Sequence, residues 1–153
     1  MSRFIQIIAA AALTLPVLAL PVSGSAAQAS TTAEAATLTI SFTDIEAPKG
    51  RIMLALFEGA TGYGGGKPVR GAAIEVSATT ASTVFTGLAP GQYGAKLFHD
   101  VNGNGKMDTN PFGMPVEPFA FSNSAKGNMG EATWDAASFE VKSGVNTHTI
   151  SFK

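Results

Sequence analysis

The chain has 153 residues, with ten Lys and Arg against eleven Asp and Glu and no cysteine, which excludes disulfides and an acylated N-terminal cysteine. A formal charge of −1, without a basic run or clustered aromatic residues, argues against nucleic acid as a partner. The length suits one domain with a real core rather than two.

At the N-terminus, Arg3 precedes an apolar run from Phe4 to Leu20 and a small-residue stretch ending Ala27-Gln28-Ala29. That is the three-part pattern of a cleaved signal peptide. Residues 1–29 are therefore expected to be the signal peptide, 30–36 a disordered Ala/Ser/Thr-rich join, and 37–153 the mature domain. Pro16 and Pro21 interrupt the run, which falls short of the ~20 apolar residues of a membrane span. No transmembrane segment is expected in the mature chain, and its expected place is the periplasm or the exterior. Without Arg3, nine basic residues face eleven acidic ones, a net charge of −2.

From Ala36 onward the apolar period is near two, broken by Gly, Pro, Asn and Asp, so strands are expected. Leu38, Ile40 and Phe42 alternate with Thr37, Thr39, Ser41 and Thr43 as a half-buried strand. Pro48-Lys49-Gly50 turns the chain into Arg51–Phe57, apolar enough for a central strand buried on both faces. Gly59–Gly71 reads as a loop. Its glycines before Lys67 do not make a phosphate cradle, because Thr61 and Pro68 stand where that motif needs Gly and Ser or Thr. Short strands follow at Ile74 to Val76 and Thr83–Thr86.

Leu88-Ala89-Pro90-Gly91 is a turn signal leading into Gln92–Asp100. There Tyr93, Ala95, Leu97 and His99 share one face, and Gly94, Lys96, Phe98 and Asp100 the other. Glu117–Ser122, Ser138–Lys142 and Thr147–Phe152 are the last expected strands, the final pair joined by a tight hairpin at Ser143–Asn146. Seven or eight strands with little helical signal predict an all-β fold, a single antiparallel β-sandwich.

The segment richest in chemistry is His99 to Asp108. Asp100, Asn102 and Asn104 fall at positions one, three and five of a calcium-type loop, Gly105 at six, Lys106 (through its carbonyl) at seven, and Asp108 at nine. A chain winding round an oxygen shell turns every second side chain inward, and the bend at six needs a residue free in φ. Position twelve should be a bidentate Glu but is Pro111. Glu117 could supply the missing carboxylate if Pro111–Pro115 folds over the loop. The competing reading is an ordinary Asx-Gly turn capped by Asp.

His99 points away from Asp100 and reads as a packed histidine with one nitrogen satisfied, and His148 has no evident partner. Two His, no Cys and no nucleophile elbow leave a catalytic triad unsupported. Phe112, Phe119, Phe121 and Trp134 are expected to peg the long connection onto the sheets, with a sugar-stacking surface around Trp134 as the alternative.

The stretch Phe85 to Asp135 resembles a family of short exported bacterial proteins known as domain of unknown function 2141. The matching features are Phe85-x-x-Leu88-x-Pro90-Gly91-x-Tyr93, His99-Asp100-x-Asn102-x-Asn104-Gly105-Lys106-x-Asp108-x-Asn110, Gly113-x-Pro115-x-Glu117-Pro118, Phe121-Ser122-Asn123 and Asp135-Ala136. The first half is also similar to prealbumin-like and Cna-B-like sandwich modules. These resemblances imply a secreted β-sandwich of immunoglobulin or prealbumin type, strengthen the Ca²⁺ reading at Asp100, Asn102, Asn104 and Asp108, and imply no enzyme. The expectation is a non-enzymatic binding or structural module with a surface or envelope partner, a glycan among the candidates. The alternatives are a carbohydrate-active hydrolase using Asp100, Asp108 or Glu117, and a small outer-membrane β-barrel.

Overall fold

The computed structural model describes residues 34–128 and 130–153. The expected signal peptide and residues 30–33 of the join lie outside them. In chain order the strands are β1 (Ala36–Thr43), β2 (Arg51–Glu58), β3 (Arg70–Glu75), β4 (Ala81–Leu88), β5 (Gly91–Asp100), β6 (Phe119–Phe121), β7 (Phe139–Val141) and β8 (Gly144–Ser151). Two short helices join them, α1 (Gly59–Tyr63) and α2 (Trp134–Ala137). One sheet runs β4-β1-β8; the other runs β3-β2-β5, with β6 and β7 sharing the far edge of β5. β6 pairs with Lys96–Phe98 and β7 with Gly91–Tyr93.

The alternation in β1 buries Ala36, Leu38, Ile40 and Phe42 and leaves the Thr and Ser positions half-exposed. These four join Ile52, Leu54 and Leu56 of β2 and Tyr93, Ala95 and Leu97 of β5 in one apolar cluster. The two sheets thus share a core, and removal of its apolar area from water, at roughly 25 cal/mol per Å², is its main source of stability. The turn into β5 is fixed from inside: Tyr93 is buried and its hydroxyl donates to the Ala89 carbonyl at 2.7 Å.

β2 is central, between β3 and β5, but is not buried on both faces as expected. Met53 and Ala55 on its outer side are half-exposed, and only Phe57 is covered there. The cover is local because α1, standing where a plain Gly-rich loop was expected, is only five residues long. Its Tyr63 ring and the Trp134 ring of α2 rest on Gly94, where a Cβ would come within 2.8 and 3.0 Å of them. Lys96 completes this outer cluster, its ammonium 4.5 Å from the Tyr63 ring centroid and 2.5 Å from the Glu131 carboxylate. Burial, with the Glu131 charge adding, pushes the Tyr63 phenol up to about 12.

Two expectations about the last third of the domain fail. β7 and β8 form no hairpin, since they lie in different sheets, and β8 runs parallel to β1 with Ala36 beside Gly144 and Thr43 beside Ser151. The sheets are therefore not antiparallel throughout. The pairing of β8 with β1 carries the chain across, and the Asn146 side chain, which accepts the Lys142 N–H and donates to the Lys142 and Gly144 carbonyls, closes the corner between sheets. The strand expected over Glu117–Ser122 shortens to β6: Glu117 belongs to the preceding loop, its carboxylate on the Val101 and Asp108 N–H groups, and Ser122-Asn123-Ser124 form a tight turn with Asn123 and Ser124 in the left-handed region.

That turn is held by side chains. Ser122 Oγ accepts the Ala95 N–H in the gap between β6 and β7 and donates to the Ala137 carbonyl. Asn123 Nδ2 donates to the Ala136 and Ser138 carbonyls, and Ser124 Oγ accepts the Ser151 N–H.

Candidate functional site

β5 delivers His99 and Asp100 to opposite sides of the sheet. His99 is buried, and its Nε2–H donates to the Lys49 carbonyl at 2.7 Å. Asp100 is fully buried beneath the turn that opens β2, where Gly50 has φ +74° and an added Cβ would stand 2.2 Å from the Asp100 carbonyl oxygen. Glycine is required there by both conformation and space.

The loop that follows is built almost wholly from side chains accepting backbone N–H groups. Asp100 Oδ1 takes the Asn104 N–H at 3.0 Å and Oδ2 the Gly105 N–H at 2.7 Å. Asn102 Oδ1 also takes the Asn104 N–H, and Asn104 Oδ1 the Lys106 N–H. Gly103 and Gly105, at φ +75° and +78°, supply the left-handed bends. Asp108 receives the side-chain amides of Asn102 at 2.6 Å and Asn104 at 3.0 Å. A buried carboxylate such as that of Asp100 would be costly without donors; here the Asn104 and Gly105 N–H groups supply them.

Glu117 closes the ring. It is buried, with Oε1 on the Val101 N–H at 3.0 Å and Oε2 on the Asp108 N–H at 3.1 Å. It returns to the loop because residues 109–116 double back. Asn110 Oδ1 accepts the Phe112 and Met114 N–H groups, Asn110 N–H donates to Met114 and Val116 N–H to Asp108, and Thr109 bridges Pro115.

Asp100, Asn102, Asn104, Asp108 and Glu117 are thus brought into one hydrogen-bonded network, with Lys106 bound to it by its backbone N–H. The donor set is all oxygen, which suits a hard cation such as Ca²⁺. Asp108 is met by amide N–H₂ groups, so a cation there requires the Asn102 and Asn104 amides to turn their oxygens inward. Among the described residues no three His, Cys, Asp or Glu side chains converge on one point.

The aromatic residues separate. Phe121 is buried and Trp134 lies half-buried on Gly94, but Phe112 is 89% exposed and Phe119 45%, so neither pegs the connection down. With Met114 and Val116, each 62% exposed, Phe112 makes an apolar loop tip that the sequence reading missed. Asn110-Pro111-Phe112-Gly113 is an Asx-turn signature that could have shown it. His148 gains a partner too: it stacks on Phe139 at 3.9 Å, and its Nε2 accepts the Asn123 N–H. Burial holds its imidazole below the usual range.

The fold and site define a class: a two-sheet β domain whose longest connection is an Asx-Gly loop closed by a buried glutamate. Residues 40–149 match the profile of a family described as an uncharacterized protein conserved in bacteria (DUF2141), and the chain belongs to that family. No curated protein and no solved structure matches the chain.

Proposed function

We propose that the chain is a non-enzymatic, exported binding or structural module, a prealbumin-like β-sandwich acting in the periplasm or outside the cell, with the 100–117 loop as a Ca²⁺ site. The observation that supports the metal reading is Glu117, whose carboxylate spans the Val101 and Asp108 N–H groups and would there supply the acid that Pro111 cannot. Asp100, Asn102, Asn104, Asp108 and Glu117 would hold the ion by side-chain oxygens and Lys106 by its carbonyl, and the ion would neutralise the three carboxylates and stiffen the loop. The Tyr93 hydroxyl on Ala89, across the turn into β5, favours an immunoglobulin-type sandwich, where a tyrosine commonly locks such a corner. The use of the loop carboxylates as acceptors for backbone N–H groups favours architecture over hydrolysis.

Calorimetric titration of Ca²⁺ into chelator-stripped protein tests this, with Asp100→Ala and Glu117→Gln alongside. The expected result is one saturable site with Kd in the ~10⁻⁴ to 10⁻³ M range of extracellular modules, lost in the first variant and weakened in the second. Absence of binding heat, with no rise in Tm at millimolar Ca²⁺, would leave the loop a metal-independent Asx-Gly turn.

A further inference from the structure

The tip at residues 110–116 combines two properties that seldom coincide. Its side chains are apolar and solvent-facing, with Phe112 89% exposed and Met114 and Val116 each 62%, and no residue from Thr109 to Val116 is charged. Its backbone donors, by contrast, are all satisfied internally. Asn110 N–H goes to the Met114 carbonyl, Phe112 and Met114 N–H to Asn110 Oδ1, Gly113 N–H to the Asn110 carbonyl and Val116 N–H to the Asp108 carbonyl. Pro111 and Pro115 have no N–H to satisfy. A surface loop in water has no need of this, because water would serve each donor. A medium that cannot hydrogen-bond demands it, since every unpaired donor there carries a penalty.

We propose that this tip inserts into the interface of a lipid bilayer, with Phe112 leading and Met114 and Val116 beside it. Size favours lipid over a protein partner. The three side chains offer on the order of 400 Å², about half of the ~800 Å² each side buries in a stable protein pair. The tip is also a rigid protrusion, held at its base by both oxygens of Glu117, so insertion orders little that is not already ordered. The proposal goes beyond the Ca²⁺ reading and stands without it.

The test is sedimentation of the purified mature chain, residues 30–153, with vesicles of phosphatidylethanolamine and phosphatidylglycerol, beside the triple variant F112S/M114S/V116S and the single variant Phe112→Trp. The triple variant is expected to keep the wild-type Tm and lose at least about tenfold in partitioning, as removal of exposed anchors of this size implies. Trp134 is the chain's one native tryptophan, so the Phe112→Trp difference spectrum should shift blue on adding vesicles. Equal sedimentation of wild type and triple variant, with no blue shift, would overturn the proposal. So would a wild-type dimer that the triple variant abolishes while neither protein partitions, because the tip would then cover a second copy. Ca²⁺ titration on the same samples reads the loop proposal separately.

Discussion

The core between the sheets and the loop from Asp100 to Glu117 lie at the two ends of one strand and are held by opposite means. In the core, β5 contributes Tyr93, Ala95 and Leu97 to an apolar cluster in which the Tyr93 hydroxyl is the one polar atom these three bring. At Asp100 the same strand ends in a carboxylate that accepts the N–H groups of Asn104 and Gly105, four and five residues on. Packing of the first kind is non-directional and tolerates similar shapes, whereas hydrogen bonding of the second kind fixes individual atoms. The domain can therefore lose volume in one place and connectivity in the other with different results.

The largest expected effect is in the core. Ile40→Ala, at a position with no exposure, should lower unfolding free energy by about 4 kcal/mol in urea denaturation and leave loop amide protection, relative to global stability, unchanged. Gly50→Ala should cost about 3 kcal/mol, since it forces left-handed φ on alanine against the Asp100 carbonyl, and should disturb core and loop together. Glu117→Ala leaves the Val101 and Asp108 N–H groups unpaired and should cost about 2 kcal/mol, with hydrogen exchange speeding chiefly over residues 101–108. Equal exchange changes across both sheets would show that the loop is not a separate unit.

A smaller effect is expected from pH. The His148 imidazole is held below its usual value by burial, and its Nε2 accepts the Asn123 N–H only when unprotonated. The unfolded chain then binds the proton more readily than the folded one, so stability rises with pH. The contribution is complete above the ordinary value of 6.5 and is lost as pH falls from there toward the lowered folded value. Thermal melts across that window should show a downward trend with acid that His148→Gln removes. The smallest effect is at the tip, where Phe112→Ser should change stability by less than about 0.5 kcal/mol.

Much of this architecture was legible in the sequence because it is written in local terms. The alternation of Leu38, Ile40 and Phe42, the Pro90-Gly91 turn and the Asx spacing from Asp100 to Asp108 each involve neighbours whose geometry follows from period or φ. What was not legible depends on distant partners. Ser143–Asn146 has the composition of a hairpin turn, and only the pairing of β8 with β1 decides that it is a crossing instead. α1 was hidden among glycines because what holds it is Tyr63 resting on Gly94, thirty-one positions away. In the site, the positions of Asp100 to Asp108 were readable, but the Glu117 contacts depended on the fold of 109–116. Phe112 was misread because an aromatic residue in a polar loop is normally buried, and that expectation outweighed the Asx-turn signature at Asn110-Pro111-Phe112-Gly113.

The parallel ladder between β1 and β8 sets the order in which the chain can become a domain. β1 is the first of the described strands to emerge from synthesis and pairs with β4 on one side, but its other edge waits for β8, the last of them. Until Gly144–Ser151 is available, eight residues of alternating Thr, Ser and apolar side chains present an open template to any passing strand. Closing that contact joins the two ends of the domain, so the loop entropy of nearly the whole fold is lost in one late step, and slow folding is the expected cost. A chain shortened by its final ten residues should accordingly be made but accumulate as aggregate, its first strand still waiting for its neighbour.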